Sequence, residues 1–73
     1  MKVESDLTKI QQRILDFICL RVDKDGIPPT AAEIAKRFKW ESSNAANHHI
    51  KVLVKKGYIS RKPGIARGIK VLD

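Results

Sequence analysis

The sequence predicts a mainly α fold with one small β-hairpin, arranged as a three-helix winged helix-turn-helix. Capping residues and apolar spacing indicate helices at about residues 9–24, 31–38 and 43–56. Only about four residues separate the second helix from the third, which is helix-turn-helix spacing. Two short segments of alternating apolar and polar residues follow, at about 58–61 and 69–72, and they predict the two strands of the hairpin.

The length and composition favour one soluble domain. A chain of 73 residues can bury one compact core, so we expect residues 1–73 to form a single domain in which 1–7 are an irregular lead-in. The N-terminus lacks an apolar signal core, and no apolar run approaches membrane-spanning length. A single cysteine excludes an internal disulfide. These features predict a cytoplasmic protein with no membrane partner.

The first two helices each begin at a capping box. Thr8 with Gln11 opens the first, and Thr30 with Glu33 opens the second after a rigid pair of prolines. Gly26 suits the left-handed residue that ends a helix. Helical spacing assigns an inward face to both helices, made of Ile10, Ile14, Phe17, Ile18, Val22, Ile34, Ala35 and Phe38.

The third helix divides into an apolar face and a polar stripe when its residues are placed about 100° apart. We expect a serine to cap it, at the start of the segment that opens with Ser42 and Ser43, and Gly57 to end it. The amides, imidazole and ammonium groups of the stripe suit base edges and phosphates, although an ordinary solvated face is the alternative. The stripe therefore predicts a helix that enters the major groove of DNA. The apolar face consists of Ala46, Ile50, Leu53 and Val54, and the stripe of Asn44, His48, Lys51 and Lys55.

Positive charge is concentrated in the second half of the chain. The net charge is +7; residues 1–33 hold five Lys or Arg against six Asp or Glu, whereas residues 34–73 hold ten against two. This asymmetry favours a polyanionic partner. The hairpin loop 62–68 is basic at both ends, and its Ile65 is either an ordinary exposed residue or a contact to the DNA backbone or minor groove. Trp40 is expected to pack beneath the turn, with stacking on a base as the alternative.

Four segments resemble the N-terminal DNA-binding domain of the LexA repressors. They are GIPPTAAEIA at 26–35, SSNAA at 42–46, KKGYI at 55–59 and RGI at 67–69. The resemblance implies a winged helix-turn-helix that binds operator DNA and represses transcription in the bacterial SOS response. It also implies DNA contacts by Ser42 and Asn44 and phosphate contacts by Lys55 and Arg67.

LexA proteins continue into a self-cleaving domain that also dimerises them, and that domain is absent from this chain. The sequence is therefore either a fragment of a longer repressor or a short repressor-like protein, for example of mobile-element origin. The expected form on DNA is a homodimer whose contacts come from the missing C-terminal region. The expected location is the cytoplasm, in association with the nucleoid.

Two departures from the LexA pattern bear on the structure and on the DNA site. Lys39 stands where the family usually has glycine, so either it is left-handed or the turn is built differently. Asn47 and His48 replace two glutamates of the recognition helix. Since carboxylates accept from cytosine and asparagine pairs with adenine, this change predicts a different operator.

The predicted function is sequence-specific binding of double-stranded DNA, without catalysis, metal or cofactor. The adjacent His48 and His49 point about 100° apart and cannot share a metal, and no catalytic triad or phosphate-binding glycine loop is visible. The alternatives are a winged-helix protein-interaction module and a shape-specific nucleic-acid binder. The residues assigned to base contacts are Ser42, Asn44, Asn47 and His48, and those assigned to phosphates are Lys51, Lys55, Lys56, Arg61, Lys62 and Arg67.

Overall fold

Three helices and a two-stranded hairpin follow one another in the computed structural model, which describes residues 7–62, 64, 65 and 67–72. The predicted fold class is confirmed, and each observed element end lies within one residue of the predicted one. Residues 1–6 of the expected lead-in, two residues of the predicted loop (63 and 66) and residue 73 lie outside the described part. The elements are α1 (Lys9–Asp25), α2 (Ala31–Arg37), α3 (Asn44–Lys55), β1 (Ile59–Arg61) and β2 (Ile69–Val71).

Both predicted capping boxes are present. The Thr8 hydroxyl accepts a hydrogen bond from the Gln11 backbone at 3.1 Å, and the Gln11 side chain accepts one from the Thr8 backbone at 3.3 Å. Thr30 and Glu33 make the same reciprocal pair at 3.1 Å each. Each box satisfies backbone N–H groups that a helix start otherwise leaves unpaired, a contribution of about 1 kcal/mol per cap. Gly26 ends α1 with φ +75°, as predicted.

The turn of the helix-turn-helix contains a left-handed lysine. Lys39 has φ +63°, and the next residue, Trp40, donates its backbone N–H to the Ala35 carbonyl at 2.8 Å. This is the hydrogen bond of a Schellman motif, which places a left-handed residue just after the helix. A residue with a β-carbon costs about 1–2 kcal/mol in that conformation. The first of the two expectations for Lys39 is therefore correct. Gly57 takes the equivalent position after α3, with φ +86°.

The core lies where α1, α2 and the hairpin pack against α3. The strands are antiparallel, with Ser60 opposite Lys70. Trp40 is partly buried and stacks on Phe38 with ring centroids 5.2 Å apart, so it packs beneath the turn as expected. The described side chains that are essentially fully buried are Ile14 and Ile18 of α1, Pro29 before α2, Ile34 of α2, Ala46, Ile50 and Leu53 of α3, and Ile59 of β1.

Val54 departs from its predicted place in the apolar face, because its side chain is 37 % exposed. It lies about 80° around the helix from Ala46, at the edge of the apolar face next to Lys51. Ile50 and Leu53 on the same face are fully buried, whereas this edge stays in contact with solvent. The exposed edge of α3 therefore combines an aliphatic residue with the start of the polar stripe.

Candidate nucleic-acid interface

The polar stripe of α3 is exposed, as predicted. The side chains of Asn44, His48, Lys51 and Lys55 are all exposed to solvent. The helix cannot rotate to bury them, because Ile50 on its other side is fully buried in the core. The packing of the apolar face therefore fixes the direction in which the stripe points.

Ser42 lies at the start of α3, where the sequence predicts a serine cap. The cap position belongs to Ser43, whose side chain makes no capping hydrogen bond. The Ser42 hydroxyl instead accepts a hydrogen bond from the Asn44 backbone N–H at 3.3 Å. Ser42 and Asn44 are both exposed at the helix N-terminus, which is the part of a recognition helix that reaches base edges.

Asn47 is placed differently from the other residues assigned to base contacts. It is half-buried, and its Oδ1 atom is buried without a hydrogen-bond partner in the described part of the chain. Asn47 lies about 100° from Ala46, between the apolar face and the stripe, and this position follows from helix geometry alone. A bidentate contact with adenine uses both the oxygen and the nitrogen of an amide. In this rotamer Asn47 cannot offer that pair.

The two adjacent histidines occupy different environments. His48 is exposed on the stripe, whereas the Nδ1 atom of His49 lies 3.3 Å from the Gln11 Nε2 atom, which donates to it, and its ring lies 5.8 Å from that of Trp40. Burial lowers the pKa of His49, and the neighbouring His48 lowers it further. His49 is therefore neutral at pH 7 and belongs to the packing under the turn, which leaves His48 as the imidazole available to a ligand.

Arg67 joins the hairpin loop to the start of α2, a contact that the sequence did not predict. Its Nη1 atom donates to the Pro28 carbonyl and to Glu33 Oε1, both at 2.9 Å, and its Nη2 atom donates to Glu33 Oε2 at 2.6 Å. Arg21 of α1 lies 3.6 Å from the same carboxylate. Hydrogen bonds from Arg67 and from the Thr30 backbone lower the pKa of Glu33 to about 2.

The ion pair changes what Arg67 contributes to an anion-binding surface. Its positive charge is largely offset by Glu33, so it attracts a phosphate less than Lys51 or Lys55 does. No local pattern could have revealed the pair, because its partners lie 34 positions apart. The assignment of Arg67 to a phosphate contact stays a prediction, whereas its contact with Glu33 positions the loop.

Replacing Glu33 with glutamine should destabilise the fold at neutral pH and remove one pH dependence. The folded-state pKa of about 2 lies below the ordinary value of 4.5, so ionised Glu33 stabilises the fold above about pH 4.5 and this stabilisation is lost as the pH falls towards 2. In urea unfolding, the free energies of unfolding of wild type and Glu33→Gln should become equal as the pH falls from 4.5 towards 2. Glu41→Gln is the control, since Glu41 is exposed and forms no salt bridge with another described residue. A constant difference between wild type and Glu33→Gln at every pH would contradict this role.

Several cations lie near α3 and β1 at the protein surface. Lys51, Lys55 and Lys62 are exposed, and none forms a salt bridge within the described residues. Lys56 is exposed at the end of α3, and Arg61 of β1 is half-buried. Among the described residues, Arg21 forms salt bridges with Asp25 and Glu33, and Arg67 forms one with Glu33.

Comparison with known proteins identifies the family. The model of the LexA DNA-binding domain matches residues 4–68. The chain belongs to this family. It is 49 % identical over 67 residues to the LexA repressor of Colwellia psychrerythraea, which covers 92 % of this chain and 32 % of that protein. It is 47 % identical over 66 residues to the LexA repressors of Vibrio cholerae and Haemophilus ducreyi. Each of these matches covers 90 % of this chain, together with 32 % of the Vibrio protein and 31 % of the Haemophilus protein.

Membership of the LexA DNA-binding domain family confirms the resemblance that the sequence predicted. The chain spans about a third of the length of these relatives. None of the described helices combines the length and apolar character that a membrane crossing needs. Within the described residues, no group of three or more His, Cys, Asp or Glu side chains is placed to hold a metal ion.

Proposed function

We propose that this LexA-family domain binds a specific operator in double-stranded DNA and represses transcription there. α3 would lie in the major groove, and the loop between β1 and β2 would lie against the backbone or minor groove. The observation that supports this most is the exposed stripe of amide, imidazole and ammonium groups on α3. The names of the relatives, which are LexA repressors, support repression as the outcome.

Base readout is assigned to the N-terminal half of α3. Ser42 and Asn44 are exposed at the helix start, and His48 follows one turn later. An exposed asparagine can donate to and accept from adenine at once, whereas a hydroxyl can pair with several bases. Asn47 remains in the set of base contacts, but it needs to rotate its amide before it can pair with adenine. Asn44 is therefore the residue on which we expect site preference to depend most.

Affinity is assigned to cations that neutralise phosphates without reading sequence. The lysines of α3 lie beside the base-reading residues, and the cations of β1 and the loop lie beyond them. Arg67 is expected to contribute least of the set, because Glu33 already pairs with it. The proposed phosphate contacts are Lys51, Lys55, Lys56, Arg61, Lys62 and Arg67.

Repression would require two copies of the domain on two half-sites. A dimer on a two-fold symmetric operator binds much more tightly than one domain on one half-site. We propose that the dimer contacts come from outside these 73 residues, and the greater length of the relatives supports this proposal. The proposed role is binding and not catalysis, and the proposed location is the cytoplasm, where nucleoid DNA lies.

Substitution of Asn44 tests the proposed readout. Asn44→Ala should cost about 1–3 kcal/mol on the preferred site and relax selectivity there, whereas Lys55→Ala should weaken binding to every sequence about equally. The preferred site would be obtained by selection from a random duplex pool at two salt concentrations and then titrated with each variant. Thermal unfolding of each variant controls for folding, since both side chains are exposed.

Three outcomes of this experiment would change the proposal. Unaltered site preference in Asn44→Ala would show that Asn44 does not read a base. Steep salt dependence without an enriched motif would favour a shape-specific nucleic-acid binder. Absence of binding at low salt would favour a protein-interaction module with this fold.

A further inference from the structure

A cleft of about 340 Å³ separates α3 from the hairpin. Three of its seven described lining residues are aliphatic. Ile50 is fully buried, whereas Val54 and Ile65 are 37 % and 50 % exposed and present unpartnered aliphatic surface to the solvent. This cleft lies beside the polar stripe, on the edge of α3 that the core does not cover. Neither base readout nor core packing explains an aliphatic surface in this place.

Three cations line the same cleft, namely Lys51, Arg61 and Lys62, and no acidic side chain occurs in its described lining. A purely apolar partner would fit poorly, because it would remove the hydration of these charges without replacing it. A small inorganic anion would fit poorly as well, because it would leave the aliphatic lining uncovered. The cleft therefore suits a ligand in which apolar groups and negative charges alternate.

We propose that this cleft seats one strand of the DNA sugar–phosphate backbone. A deoxyribose would pack against Val54 and Ile65, and the phosphates on either side of it would pair with Lys51, Arg61 and Lys62. This inference rests on the proposed function. If α3 occupies the major groove and the loop lies over the neighbouring backbone or minor groove, the strand that divides the two grooves passes between them. The cleft is located there.

Binding of the DNA backbone in this cleft should have a distinct dependence on salt and on sequence. Packing of a sugar on an aliphatic side chain releases no counterions, so it adds affinity that salt does not weaken. Every nucleotide has the same sugar, so the contact does not depend on sequence. Contacts from Lys51 and Lys62, in contrast, should steepen the salt dependence by about 0.9 in log K per log salt for each phosphate.

Ile65→Thr tests whether the cleft binds the DNA backbone. Ile27→Thr is a matched control, because Ile27 is 48 % exposed and does not line the cleft. Titrations would use the preferred duplex and an unrelated duplex, each at several salt concentrations. We expect Ile65→Thr to weaken binding about fivefold to tenfold on both duplexes with an unchanged salt slope, and Val54→Thr with Ile65→Thr to weaken it further. Lys62→Gln should lower the slope, and Ile27→Thr should change neither quantity.

Each other outcome would overturn a defined part of this account. Wild-type affinity in Ile65→Thr and in the double variant would show that the cleft does not bind the DNA backbone, and it would leave the proposed function intact. A loss confined to one duplex would point to a base methyl group instead of a sugar. A change in the sedimentation of the DNA-free protein caused by Val54→Thr would make the cleft a protein interface. If the wild-type protein binds no duplex at all, both the proposed function and the proposed backbone contact in the cleft would be rejected.

Discussion

Raising monovalent salt from about 50 to about 200 mM should weaken binding to duplex DNA by roughly 500-fold, given about five phosphate contacts. Each cation that neutralises a phosphate releases counterions from the duplex, and this release becomes less favourable as the salt concentration rises. Five contacts are counted because Arg67, whose charge is offset by Glu33, is left out of the six assigned cations. The expected slope of log K against log salt is about −4.5.

Fluorescence anisotropy titrations over that salt range would measure the slope. Lys51→Gln and Lys55→Gln should each reduce its magnitude by about 0.9, and their effects should add if the two side chains contact different phosphates. Lys24→Gln is the control, because Lys24 lies at the far end of α1, outside the proposed interface. A shallow slope with retained tight binding would show that the exposed cations of α3 do not lie on the backbone.

Replacing Ile50 with alanine should cost about 2–5 kcal/mol in the free energy of unfolding. Ile50 is fully buried in the core, on the helix against which α1, α2 and β1 pack. A domain of this size has a total stability of about 4–11 kcal/mol, so the variant should be partly unfolded near physiological temperature. DNA binding should weaken in parallel, because the same burial holds the polar stripe outwards.

Urea unfolding followed by circular dichroism would measure this loss. Val52→Ala is the control, since Val52 lies on the same helix but is only half-buried, and it should cost less than Ile50→Ala. If Ile50→Ala has the wild-type free energy of unfolding and the wild-type DNA affinity, α3 must be held by contacts other than those of its apolar face. Addition of a saturating duplex should restore part of the lost stability, since a ligand that binds only the folded state stabilises it.

The sequence by itself determined the helices and strands and the polar stripe of α3. The two capping boxes, the left-handed residues after the helices and the polar stripe all depend on residues within a few positions of one another. Such local features follow from backbone geometry, so they can be read without coordinates. The sequence grouped Val54 with the apolar face and Asn47 with the base contacts, and the extent of their burial could not be deduced from it.

The tertiary structure alone decided how the interface is held and completed. The pairing of Arg67 with Glu33 joins residues 34 positions apart, and no periodicity links them. The inward orientation of the Asn47 oxygen is a choice between rotamers that depends on its neighbours. The cleft is lined by residues of α3, of β1 and of the hairpin loop, so it depends on how the hairpin packs beside the helix. Packing between distant segments determines each of these features, because the free energies involved depend on which surfaces meet and not on which residues are adjacent.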